Sequence, residues 1–181
     1  MSEMGDMKFT TAGDMMRPTL TMLVGVPASG KSTWIEQQGF WDRTDLMILS
    51  TDNFIESVAV GMGKTYYEVF QDTIKQAEKN LEECLQIAIK NDMDIVWDQT
   101  NLTRKSRKYK LRRIPSHYKK VAKVFSIPAQ EEWHARLTSA ERAGKIIPTN
   151  ILQAMAANFE PPTLDEGFDL IINPVEFDYV D

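Results

Sequence analysis

Eight consecutive residues, Gly25-Val26-Pro27-Ala28-Ser29-Gly30-Lys31-Ser32, bring two glycines, a lysine and a hydroxyl to a spacing that suits the cradling of a phosphate chain. The pattern is G-x-x-x-x-G-K-[ST], the phosphate-binding loop. Glycine lets backbone N–H groups curl around an oxyanion without Cβ clashes. Lys31 supplies a point charge for the β- and γ-phosphates, and the Ser32 hydroxyl can ligate Mg²⁺. Gly25, Pro27, Ala28, Ser29, Gly30, Lys31, Ser32 and Thr33 are therefore the expected nucleotide contacts. A second G-K-T, Gly63-Lys64-Thr65, has Val58 where the first glycine belongs and reads as a loop ahead of a helix.

Such a loop works only between a buried strand and a helix. Thr19–Val24 is an apolar, β-leaning run, and Ser32–Gln38 is free of proline and glycine until Gly39 stops it. Short apolar runs alternate with helical patterns along the whole chain, which predicts a parallel sheet with crossover helices. The expected strands are Leu20–Val24, Leu46–Leu49, Ile95–Trp97, Val121–Ile127 and Leu170–Ile172. The expected helices are Tyr66–Lys90, Thr103–Arg113, Ala129–Ala143 stopped by Gly144, and one starting at Pro148 and ending before Pro161.

Ligands on such sheets bind beyond the carboxyl ends of the strands. Asp52 follows the second strand and is either an acceptor-side base or the N-cap of the next helix. Asp98 opens Asp98-Gln99-Thr100-Asn101 after the third strand, at the place of a magnesium-side carboxylate, although Asp and Asn also favour turns. Arg136, Arg142 and Lys145 gather near the end of the Ala129–Ala143 helix, where cations can neutralise charge on a triphosphate or simply complement the helix dipole. His117 and His134 have no partner at relay or ligand spacing and read as surface residues.

The 181 residues are one domain's worth of chain, with 43% hydrophobic content, enough for a sizeable core. The single Cys84 excludes an internal disulfide, reads as a small helix hydrophobe and fits a reducing compartment. No apolar run approaches the roughly 18 residues that span a bilayer, and no signal-peptide pattern opens the chain. Residues 1–17 carry five of the ten methionines with little periodicity, and are expected to form a flexible extension to a domain of residues 18–181. Net charge is −5, yet Arg104–Lys123 holds ten of the 21 Lys and Arg and no acid. A basic stripe on an acidic chain is a footprint for a polyanion or a solvated helix face.

Together these residues resemble the polynucleotide kinase family, a branch of the phosphate-loop kinases. Its pattern G-x-P-x-[SG]-G-K-[ST], an acid after the second strand, D-x-T-N after the third and an arginine-bearing lid read here as Gly25–Ser32, Asp52, Asp98–Asn101 and Arg142. Phe159-Glu160-Pro161-Pro162-Thr163-Leu164-Asp165-Glu166-Gly167-Phe168 is similar to the end of eukaryotic members.

The resemblance implies an α/β P-loop NTPase of about five parallel strands flanked by helices, with a helical lid. It implies ATP and Mg²⁺ held by Lys31 and Ser32, Asp52 as general base, Asp98 orienting acceptor or metal, and Arg142 clamping the phosphates. The implied reaction is phosphoryl transfer to a hydroxyl of DNA or RNA, a 5′-hydroxyl end above all. The alternatives are a kinase of a hydroxymethylated base in DNA, as in stand-alone viral kinases, and a non-catalytic ATP-binding module of a nucleic-acid-binding system. Asn101, Arg104, Arg107 and Lys108 are the expected acceptor contacts, with Tyr109 and Tyr118 available for stacking. Members that place an arginine three residues after the base use it on the acceptor phosphate; here that position is Ile55. No D-x-D-G-T phosphatase motif occurs. A cytoplasmic setting is implied, the host cytoplasm for a viral chain; oligomeric state is left open.

Overall fold

A computed structural model describes residues 17–138, 145 and 147–174. Five strands, β1 (Thr19–Val24), β2 (Leu46–Leu49), β3 (Asp94–Trp97), β4 (Lys119–Val124) and β5 (Leu170–Ile172), form one sheet in the order β2-β3-β1-β4-β5. Every pairing is parallel, so each connection is a crossover. β1 is central, and its last five residues are buried, as a strand covered on both faces requires.

Among the described residues six α-helices lie in the crossovers: α1 (Lys31–Gln37), α2 (Thr51–Met62), α3 (Tyr66–Lys90), α4 (Arg104–Leu111), α5 (Gln130–Leu137) and α6 (Thr149–Ala157). α3 keeps its expected bounds. Its buried residues Val69, Ala77, Leu81, Leu85 and Ala88 recur every three or four positions or at multiples of that step. Thr65 caps it in a reciprocal box with Glu68, and Gly63 ends α2 at φ 63°, so the G-K-T decoy is a turn between helices. Leu81, Leu85, Leu111 and Phe168 pack with Leu20, Trp97 and Ala122 in the largest apolar cluster.

Three boundaries differ from the sequence expectation. β4 begins at Lys119 and stops at Val124 rather than reaching Ile127. Phe125 N–H donates one further bond to Val24 O, but β1 then turns into the phosphate loop and offers no more rungs. α4 is shorter than Thr103–Arg113 because Thr103 is its cap, accepting from Ser106 N–H, and turn geometry takes over after Leu111. α5 is described only to Leu137, so the expected run to Ala143 and its Gly144 stop lie outside the described residues. Of the expected N-terminal extension only Arg17 is described; its guanidinium donates to the Ser116, His117 and Tyr118 carbonyls.

Candidate active site

The carboxyl ends of β1, β2, β3 and β4 open on a cleft of about 1130 Å³. Its floor is the phosphate loop, which bends through Ala28 at φ 60° and Gly30 at φ 100° into α1. Gly25 is required by close approach: a Cβ there would stand 2.6 Å from Ser29 Oγ and 2.9 Å from Phe125 Cβ. Gly25 N–H donates to Thr100 O, which stitches the loop to the segment after β3. Lys31 Nζ donates to Gly25 O at 2.9 Å and Val26 O at 2.8 Å, curled back over the loop.

Two features of this loop fit a phosphate. Ser29 Oγ is buried with no hydrogen-bond partner, inside a concavity that a Cβ at Gly25 would fill. The N-terminal turn of α1 contains no acid to compete with an anion. Mg²⁺ is commonly held by one or two carboxylates with phosphate oxygens and water. Ser32 and Asp98, both on the cleft, supply that donor set.

Asp52 lines the same cleft, and the structure decides its local role. The N-cap of α2 is Ser50, whose Oγ accepts from Asn53 N–H at 3.2 Å, so Asp52 is not spent as a cap. Its carboxylate instead accepts from Tyr66 Oη at 2.8 Å and pairs with Lys145 Nζ at 2.7 Å. Lys145 also reaches Glu56 at 2.8 Å and lies 4.8 Å from the Tyr66 ring centre. Burial alone would push the Asp52 carboxyl up; Lys145, Tyr66 and Lys31 outweigh it and hold Asp52 below the usual carboxylate range. Asp98 behaves oppositely. Burial pushes its carboxyl above the usual range, and the Asp52 charge adds to the rise against Lys31 and Lys145. Two carboxylates in one cleft are thus tuned apart.

α5 leans on the floor from the β4 side. Trp133 Nε1 donates to Pro27 O at 2.7 Å, and Arg136 Nη1 to Ala28 O at 3.1 Å. Arg142, the expected clamp, lies outside the described residues.

None of the four expected acceptor contacts Asn101, Arg104, Arg107 and Lys108 lines the cleft. Arg107 is fully buried, donating from Nε and Nη2 to Glu166 at 2.8 Å each and from Nη1 to the Asn101 and Leu102 carbonyls. It cannot touch an acceptor. Asn101 is buried with φ 50°; its amide donates to Leu23 O at 2.7 Å and its Oδ1 accepts from Lys110 Nζ. It fastens the D-Q-T-N segment to β1. Arg104 pairs with Asp165 and does not line the cleft. Lys108 is partly exposed and also off the cleft. Tyr118, considered for stacking, is buried; its hydroxyl donates to Met93 O at 3.0 Å and burial pushes it up to about 12.

By its apolar step Tyr66 reads as a core position of its helix, and nothing in the sequence singles out Glu56. The signal available was a phenol at the first residue of α3, where an amphipathic side chain can pack its ring and still present its hydroxyl.

Residues 20–162 match the family pattern described as AAA domain, AAA_33. The chain belongs to this family. The fold is the P-loop kinase fold, a five-strand parallel sheet flanked by helices, which implies nucleotide binding. The match stops short of the polynucleotide-kinase branch. This AAA domain is 26% identical over 149 residues to heterogeneous nuclear ribonucleoprotein U-like protein 2 of Mus musculus and of Homo sapiens. The alignment covers 78% of this chain and spans only 19% of the length of those relatives. In fold it is similar to a candidate kinase from Chloroflexus aurantiacus (TM-score 0.62, 18% identity, covering 88% of this chain and 86% of that one). It is also similar to the PezAT toxin–antitoxin system of Streptococcus pneumoniae (TM-score 0.63, 18% identity, 87% and 67% covered). No helix among the described residues is long and apolar enough to cross a membrane.

Proposed function

We propose that this AAA domain is an ATP- and Mg²⁺-dependent kinase that transfers the γ-phosphoryl group to a hydroxyl of DNA or RNA, a 5′-hydroxyl end first. The observation that carries the reading is Asp52. It faces the phosphate loop across one cleft, spared from capping by Ser50 and held ionised by Lys145 and Tyr66. A module that only binds nucleotide has no use for an ionised carboxylate there.

Lys31, Ser32 and the loop amides hold the triphosphate. Bound Mg²⁺, held through Ser32 and Asp98, would neutralise charge shared by the β- and γ-phosphates. The acceptor oxygen forms the new P–O bond while the bond from the β–γ bridging oxygen to phosphorus breaks, and ADP leaves with that electron pair. The acceptor proton passes to Asp52, whose carboxylate has about four lone-pair sites and so keeps accepting capacity beside Tyr66 and Lys145.

The second reading, a non-catalytic nucleotide-binding module of a nucleic-acid-binding system, draws support from the ribonucleoprotein named among the relatives. Labelled ATP offered with 5′-hydroxyl DNA, 5′-hydroxyl RNA, hydroxymethylated-base DNA and free nucleosides separates the readings. The expected result is label on the 5′-hydroxyl strands, lost in Lys31→Ala. Label on the modified base alone moves the acceptor to the base hydroxyl. ATP bound without transfer to any acceptor makes the module reading the right one.

A further inference from the structure

Of the ten cations between Arg104 and Lys123, the structure neutralises or buries several. Arg104, Arg107 and Arg113 pair with Asp165, Glu166 and Glu82. Lys110 is turned inward onto Gln99 and Asn101, where burial pushes it down to about 8. Lys123 lies in the cleft over the Phe125 ring.

What remains on α4 and its C-cap Arg112 is one outward line. Lys105, Lys108 and Arg112 recur at i, i+3 and i+7, with Tyr109 beside them, 65% exposed. Among the described residues none of these three cations has a carboxylate partner. This face carries a single sign on a protein of net charge −5, the footprint that a polyanion would fit. Arg113 lies 5.8 Å from the Tyr109 ring centre and braces that ring. Seven residues of helix rise about 10.5 Å, enough to span more than one phosphate of a single strand. The line also begins next to the chemistry, since α4 starts four residues after Thr100 of the cleft wall.

We propose that Lys105, Lys108, Tyr109 and Arg112 form a track for single-stranded nucleic acid outside the cleft. The cations follow its phosphates and Tyr109 stacks on a base. This rests on the nucleic-acid acceptor of the proposed function and moves its binding face from the inner to the outer side of α4.

The test is fluorescence anisotropy of a tagged single-stranded oligonucleotide, DNA and RNA in turn, across a salt series and without ATP. The K105Q/K108Q/R112Q variant is expected to bind about tenfold or more weakly, with its log–log salt slope reduced by about 2, near 0.7 per lost phosphate contact. Y109A is expected to weaken binding about fivefold or more with the salt slope unchanged. ATP affinity should be the same in every variant, which reports an intact fold. No oligonucleotide binding by the wild type, or variants indistinguishable from it, overturns the track. Equal affinity for heparin with no effect of Y109A also overturns it, in favour of a general polyanion surface. Because the assay needs no phosphoryl transfer, track-dependent binding without transfer defeats the kinase reading alone. Transfer with track-independent binding defeats the track alone.

Discussion

At the scale of single residues, the site turns on how Lys145 and Tyr66 treat Asp52. The depressed carboxyl means the base is available over a wide pH range, at the cost of basicity. Asp52→Asn should fold and bind ATP nearly as the wild type does, while phosphoryl transfer falls about 10²–10⁴-fold, the usual loss of a general base. Lys145→Met removes the largest influence lowering the Asp52 carboxyl, so the acid limb of the rate profile should move to higher pH. The sign follows from the chemistry: the ionised form accepts the proton, and without the ammonium beside it ionisation is completed at a higher pH. Single-turnover rates across pH check both variants. An unmoved acid limb in Lys145→Met would show that Asp52 is not the titrating base.

The positions of Asp52 and Asp98 are legible because each is the first acid after an apolar run in a chain that also carries the phosphate loop. Lys145 was legible only as a cation near a helix end. Its pairing with Asp52 and Glu56 joins residues 93 and 89 positions apart, through tertiary folding that spacing does not report.

At the scale of elements, the periodic ones were the readable ones. α3 keeps its bounds because its apolar stripe and Thr65–Glu68 box agree. α4 was read correctly as a helix and wrongly as to its face. Charge alone cannot say which of several arginines on a short helix turns inward, and Arg107 does so because the segment after α6 brings Glu166 to it. That segment is pinned by the same acid, since Glu166 also accepts from Thr163 N–H at 3.0 Å. The pair is fully buried on both sides, so its two charges depend on each other. Glu166→Ala should therefore cost about 3–5 kcal/mol, the penalty of stranding a buried guanidinium. Replacing both partners together, Arg107→Met with Glu166→Leu, should recover most of the loss. Urea denaturation of the three variants measures this, and a cost below about 1 kcal/mol for Glu166→Ala would mean that water reaches Arg107.

At the scale of the whole molecule, the cleft carries a tension between folding and ligand binding. Asp98 has a carboxyl raised by burial, so the sign of its effect on folding is unfavourable. A carboxyl whose folded value lies above its unfolded one withdraws stability as pH rises through the two values. Asp98→Asn should therefore melt higher than the wild type without ligand at neutral pH. The difference should shrink as pH falls and the wild-type carboxyl protonates. Adding Mg²⁺ and ATP should reverse the order. A ligand at about 100 times its Kd stabilises the folded state by about 2.7 kcal/mol, which is about 5–10 °C for a chain of this size. The wild type should gain that shift and Asp98→Asn distinctly less, because the amide cannot replace the charge offered to the metal. Differential scanning fluorimetry with and without Mg²⁺-ATP at several pH values reads all three comparisons. If Asp98→Asn melts lower than the unliganded wild type, Asp98 is holding the fold rather than waiting for a cation, and its role in the cleft is structural.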